Sequence, residues 1–174
     1  MSVFLLLPFS FASTLTVGSS GQYSTIQDAI SAASSGDTID VESATYSECL
    51  SVNGKDLSFS GSGVTLSGSC SDALLTIETA VVSIDGWTIS PSGGRGFYIM
   101  DAASSLTASN LEMSSAGSGT TDGGGFYVEG GSLSIDGGTY SSNTGDEGGV
   151  IRAANGAVIQ IQNATFTGNT IGHI

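Results

Sequence analysis

The chain has 174 residues, room for one domain, and 39% of them are hydrophobic against 11% charged, which excludes a disordered acidic tail. With 3 basic and 16 acidic residues the net charge is −13, so the surface repels phosphate backbones and nucleic acid is not an expected partner. The 26 glycines with only 2 prolines fit many tight turns without collagen-like triplets.

In chain order, residues 1–12 form a short apolar run that ends in Ser10-Phe11-Ala12, the small-x-small form of a signal-peptidase site. The run is too short to span a bilayer, so it is predicted to be a signal peptide of a secreted, extracellular or cell-surface protein, the alternative being a buried first strand. No other segment is a transmembrane candidate. Thr14–Val17 then reads as a short strand. Ile26, Ala29, Ile30 and Ala33 follow at helical spacing as one apolar stripe, with Ser24 and Gln27 as a capping box and Gly36-Asp37 as the stop. Residues 13–37 are thus predicted to be a strand and an amphipathic capping helix over the open end of a repeat array. Cys49 and Cys70 stand 21 residues apart. In a secreted chain they are a disulfide candidate, worth about 3 kcal/mol, the alternative being two separate small core residues. One histidine and no CxxC pair argue against a metal site.

From residue 38 onward, strands dominate. Leu57-Ser-Phe59-Ser, Val82-Ser-Ile84-Asp, Leu106-Thr-Ala108-Ser, Leu133-Ser-Ile135-Asp and Ile159-Gln-Ile161-Gln each alternate apolar with polar residues. Each runs into one Gly or Asn, namely Gly61, Gly86, Asn110, Gly137 and Asn163, spaced 24–27 residues apart. These residue types tolerate φ > 0, so all five are predicted as left-handed corners. Around Gly137, a strand at 124–128, a Gly130-Gly131 turn, a strand through Leu133 and Ile135 and a third from Thr139 make one unit. The fold class is therefore all-β, a parallel β-helix of about 25 residues and three short strands per coil over residues 38–174. Leu133 should lie between Leu106 and Ile159, Ile135 between Ala108 and Ile161, and Thr139-Tyr140 on Thr165-Phe166. A one-residue slip should turn Ile151 inward and Arg152 to solvent, since a lone buried guanidinium is costly. Residues 114–125 should form an extruded loop.

The segment Tyr23-Ser-Thr-Ile-Gln-Asp-Ala-Ile30, then Gly36-Asp-Thr-Ile-Asp-Val41 and Thr45-Tyr46-Ser-Glu48, resembles the N-terminal cap and first coil of the right-handed parallel β-helix, or pectin-lyase-like, superfamily. Gly148-Gly-Val-Ile151, Phe166-Thr-Gly-Asn169 and Tyr140-Ser-Ser-Asn143 resemble the GGA(I/L/V) and FxxN repeats of polymorphic outer-membrane proteins. The resemblance implies a right-handed, single-stranded β-helix. It does not select among the lyases, hydrolases, esterases, adhesins and phage spikes built on that fold. The esterase pattern of paired Asp with Arg and the clustered Asp residues of polygalacturonase-like hydrolases are missing. Arg95 and Arg152 read as ordinary surface residues.

Tyr98 and Tyr127 share an outward position and are candidates for binding sugar rings. Asp122, Asp146 and Glu147 lie in loops, as further binding candidates and as weak Ca²⁺ ligands; no other cofactor is expected. Asp85 and Asp136 occupy the same repeat position two coils apart, ~10 Å, too far to share an ion. Regular Thr-x-Thr ladders, which would suggest ice binding, do not occur. Asn163-Ala-Thr165 is a glycosylation sequon, although Asn163 is also a corner. The expected function is a non-catalytic, secreted or surface-exposed β-helix module, adhesin-like or structural, with carbohydrate as its ligand. Residues 169–174 carry no helical or charged cap, so either the natural chain is longer than these residues or this end docks other copies end to end, a second partner. The alternative is a polysaccharide-active enzyme, of pectin or polyuronide lyase, hydrolase or esterase type, with its site on the loops at 114–122 or 141–147.

Overall fold

The computed structural model describes residues 11–118 and 120–172. The expected signal peptide therefore falls, apart from Phe11 and Ala12, outside the described residues. The chain enters through β1 (Thr14–Val17) and α1 (Ile26–Ala32) and then winds through successive coils. These are β2 (Thr38–Val41), β3 (Thr45–Ser47) and β4 (Leu50–Asn53); β5 (Leu57–Ser60), β6 (Thr65–Gly68) and β7 (Ala73–Glu78); and β8 (Val81–Asp85), β9 (Thr88–Pro91) and β10 (Arg95–Ile99). Then come β11 (Ser105–Ser109), β12 (Glu112–Ser114) and β13 (Phe126–Glu129); β14 (Ser132–Asp136), β15 (Thr139–Ser141), β16 (Thr144–Gly145) and β17 (Ile151–Ala154); and β18 (Val158–Gln162), β19 (Thr165–Thr167) and β20 (Thr170–Ile171).

Strands pair in parallel with their equivalents in the coils above and below, giving three faces and a separate two-stranded ladder of β16 and β20. The first is the seven-stranded sheet β1-β2-β5-β8-β11-β14-β18, the second the six-stranded sheet from β3 to β19, and the third the five-stranded sheet from β4 to β17. Period-two alternation puts one apolar set inside, where it stacks in columns. Leu15, Ile39, Phe59, Ile84, Ala108, Ile135 and Ile161 form one continuous column. Tyr46, Leu66, Ile89, Met113, Tyr140 and Phe166 form another. Leu50, Leu75, Phe97, Phe126 and Ile151 form a third. The expected neighbours of Leu133, Ile135 and Tyr140 are the observed ones. On the last coil Val158, Ile161, Phe166 and Ile171 are exposed.

The helix α1 lies against β1, β2 and β4 and buries Ile26, Ala29 and Ile30. Its N-cap is Thr25 rather than the expected Ser24: the Thr25 hydroxyl accepts from the Asp28 N–H at 3.1 Å. The Glu48 carboxylate takes the free N–H groups of Ile26 and Gln27, and the Gln27 side chain is held by Ser51. At the other end Lys55 Nζ donates to the carbonyls of Ile30, Ser31 and Ala33, a cation on the negative end of the helix. Cys49 and Cys70 form a disulfide with their Cα atoms 5.7 Å apart.

Three expectations change. First, Gly61 has the positive φ expected of it but lies outside the narrow αL region of the other corners: its φ is 132°, against 70°, 51°, 74° and 55° at Gly86, Asn110, Gly137 and Asn163. The cause is local. Ser62 and Gly63 make this corner two residues longer, and the backbone passes so close to β2 that a Cβ on Gly61 would sit 2.2 Å from the Val41 carbonyl oxygen. Second, the slip at Arg152 occurs, with Ile151 in register with Phe126 and Arg152 with Tyr127, but Arg152 is not left free in solvent. Third, 114–125 is not extruded as a whole. Ala116 and residues 123–125 are buried, and Gly117 N–H donates to the Gly94 carbonyl. Only its middle stands out.

Candidate functional site

The third face carries one outward row that differs from the rest of the surface. Successive rungs are Ser51, Thr76, Tyr98, Tyr127 and Arg152. These side chains point out because their neighbours Phe97 and Ile99, and Phe126 and Val128, are the inward residues of the same strands. The glycines that open β13 are there for a steric reason. A Cβ on Gly124 would lie 2.3 Å from the Thr144 carbonyl oxygen and 2.7 Å from that of Gly149, so the backbone of β16 fits against this corner only where side chains are missing.

The Tyr98 and Tyr127 rings stack with centroids 5.0 Å apart and planes 7° from parallel. The Arg95 guanidinium lies 5.2 Å from the Tyr98 centroid and 4.9 Å from that of Tyr127. Arg152 covers Tyr127 at 5.2 Å. Carboxylates bracket both cations. Arg95 pairs with Asp72 at 3.2 Å, and Arg152 with Glu147 at 2.8 Å and with Asp122. The Tyr98 hydroxyl donates to Glu129, which also accepts from Asn155 Nδ2 at 3.1 Å. Burial, and then the Glu129 carboxylate, push the Tyr98 hydroxyl above its ordinary pKa, so it remains a donor at neutral pH. The Tyr127 hydroxyl has no hydrogen-bond partner among the described residues.

Arg95 is the more deeply set cation, its side chain 13% exposed. Its Nε and Nη1 are buried without a hydrogen-bond partner among the described residues. The two tyrosine rings beside the guanidinium supply the compensation, each such contact being worth about 0.5–2 kcal/mol as water is excluded.

Four of the five residues singled out from sequence meet here: Tyr98, Tyr127, Asp122 and Glu147. Asp146 adjoins them, its N–H donating to the Thr121 carbonyl and tying the two loops together. Sequence reasoning missed Arg95, Arg152, Asp72 and Glu129. The slip at Ile151 was the available signal, since it already implied that Arg152 stands on the tyrosine rung. With Asp122 and Glu147 engaged by Arg152, no group of three or more His, Cys, Asp or Glu is placed to hold a metal ion among the described residues.

The remaining candidates lie apart. Asp85 and Asp136 flank Ser109 on the first face, and each accepts from a corner amide, Asn110 Nδ2 at 2.9 Å and Asn163 Nδ2 at 2.8 Å. The Asn163 amide that a glycan would occupy is thus engaged by Asp136. No helix among the described residues is long and apolar enough to cross a membrane. Comparison with models of protein families, with curated proteins and with solved structures gives no match for this chain.

Proposed function

We propose that this chain is a non-catalytic, surface-exposed or secreted β-helix module that binds neutral glycan chains along the third face. The observation that carries the reading is the Arg95–Tyr98–Tyr127–Arg152 ladder. It gathers two of the chain's 3 basic residues and two of its 5 tyrosines on adjoining coils. The acids around it, Asp72, Asp122, Glu129 and Glu147, outnumber the arginines, so a polyuronide is repelled. Guanidinium–carboxylate pairs beside an unpartnered tyrosine hydroxyl offer donors and acceptors side by side, the pattern that vicinal sugar hydroxyls match. The ring faces are taken up by each other, by Arg95 and by Arg152, so a sugar would meet ring edges and polar tips.

The Cys49–Cys70 disulfide supports an oxidising, extracellular setting. The resemblance to pectin-lyase-like proteins and to polymorphic outer-membrane repeats supports the same placement. A glycan array run beside a polysaccharide depolymerisation assay tests the reading. Binding to neutral glycans that is lost in Tyr127→Ala, with no chain cleavage, is the expected result. Cleavage of pectin, alginate or another polyuronide would replace it with the enzymatic alternative.

A further inference from the structure

The second face carries an ordered array that the sequence conceals. Its strands read Thr45-Tyr-Ser47, Thr65-Leu-Ser67, Thr88-Ile-Ser90, Glu112-Met-Ser114, Thr139-Tyr-Ser141 and Thr165-Phe-Thr167, all in register. The middle residue of each points inward. The outward residues therefore form two parallel rows, one Thr-rich and one Ser-rich, broken only at Glu112. No regular Thr-x-Thr ladder occurs: on this face the pattern stands once, at β19, while Thr-x-Ser recurs on four further coils.

Three features give this array a partner. The first is its two-dimensional spacing. Rungs repeat every ~4.8 Å along the solenoid, and the two rows stand ~6.7 Å apart along each strand. Water oxygens on the prism plane of hexagonal ice repeat at two spacings close to these, one slightly shorter and one slightly longer. The second is chemical. Apart from a Ser47–Ser67 contact at 3.2 Å and a long one from Ser67 to the Tyr46 carbonyl, the hydroxyls of both rows have no partner among the described residues. They are free to bond to a lattice, and the Thr hydroxyls are held in few rotamers by β-branching. The third is the contrast between faces. The first face projects Asp40, Asp85 and Asp136, and the third carries its arginines and carboxylates. Here Glu112 is the one charge. A shallow trough of about 300 Å³ runs between the rows at the centre, lined by Thr88, Glu112, Ser114, Thr139 and Ser141, with room for ordered water.

We infer that the second face of the solenoid binds ice, the Thr and Ser rows holding water in lattice positions along the trough. The face is separate from the arginine–tyrosine ladder and its activity is independent of it. The test is nanolitre osmometry on the full, disulfide-bonded chain, scoring crystal shape and thermal hysteresis. The wild-type chain should facet growing crystals and hold a hysteresis gap. Thr88→Tyr with Thr139→Tyr, which puts bulk at the centre of the array, should abolish both. Glu112→Thr, which completes the row without adding bulk, should widen the gap, and Tyr127→Ala on the other face should leave it unchanged. Should the tyrosine pair unfold the coils by circular dichroism, Glu112→Thr decides, and no gain there counts against the proposal. Unshaped discs with the wild-type chain overturn it. So does adsorption to cellulose or chitin that the same variants remove while ice growth is unaffected, which would make the array a polysaccharide surface.

Discussion

Asn143 and Asn169 form a two-rung amide ladder inside the solenoid. Both the backbone N–H and Nδ2 of Asn143 donate to Asn169 Oδ1 at 2.9 Å. Asn143 Oδ1 in turn accepts from Ala116 N–H, and Asn169 Nδ2 donates to the Tyr140 carbonyl. This is the structural content of the Tyr140-Ser-Ser-Asn143 and Phe166-Thr-Gly-Asn169 repeats: each Asn satisfies backbone groups that the turn leaves open. Asn143→Leu removes the acceptor of the Ala116 N–H and one of the two donors to Asn169 Oδ1, the Asn143 backbone N–H remaining, at a fully buried position. Urea denaturation should show a loss of about 1–3 kcal/mol, the cost of one unsatisfied buried group.

Tyr140, in the same turn, should behave in the opposite sense. Its ring is fully buried, stacked 5.1 Å from Phe166, and its hydroxyl has no partner among the described residues. Tyr140→Phe keeps the ring and removes an unsatisfied polar atom, so stability should hold or rise by about 1 kcal/mol. A fall in the denaturation midpoint would mean that the hydroxyl is bonded.

The Gly/Asn corners are not equivalent, and substitution should show it. At Gly86 an added Cβ meets nothing within 4 Å, and Asn already stands at the same corner at positions 110 and 163. Gly86→Asn should change stability by less than about 0.5 kcal/mol. Gly61→Ala forces a Cβ to 2.2 Å from the Val41 carbonyl oxygen and should cost about 2–3 kcal/mol. Paired thermal melts compare them.

Acid should loosen the N-terminal end. Asp37 accepts the N–H of Ser13 at 2.7 Å and that of Ser34 at 2.8 Å, and these bonds hold its carboxyl below the ordinary value. Because the folded pKa is the lower one, the stabilisation is complete above the unfolded value of about 3.9 and is lost as pH falls through the folded one. Melts recorded from neutral pH downward should stay level and then drop below about pH 4. Asp37→Asn should be less stable at neutral pH and should flatten part of that drop.

The solenoid was legible because its cause is local: alternation sets the inward column, and one left-handed residue per coil sets the corner. What stayed hidden depended on register between coils. The rows of the second face are offset by 20 residues between Ser47 and Ser67 but by 27 between Ser114 and Ser141, so a fixed-period reading does not align them. Glu112 interrupts the row as well. Arg95 and Arg152 read as surface residues because three of their partners, Asp72, Asp122 and Tyr127, are more than 20 residues away in sequence, while the nearby Tyr98 and Glu147 do not by themselves mark a cluster. Gly61 was grouped with the tight corners because its flanks match theirs, although Ser62 and Gly63 lengthen the turn that follows.

The claim that the third face is the glycan-binding surface is tested most directly by amide chemical-shift mapping. The labelled chain is titrated with cellohexaose, mannohexaose and xylohexaose, and in parallel with hexagalacturonate. Shifts centred on Arg95, Tyr98, Tyr127 and Arg152 with a neutral hexasaccharide, and none with the uronate, are expected. Shifts confined to the other two faces, or a stronger response to hexagalacturonate, would contradict it.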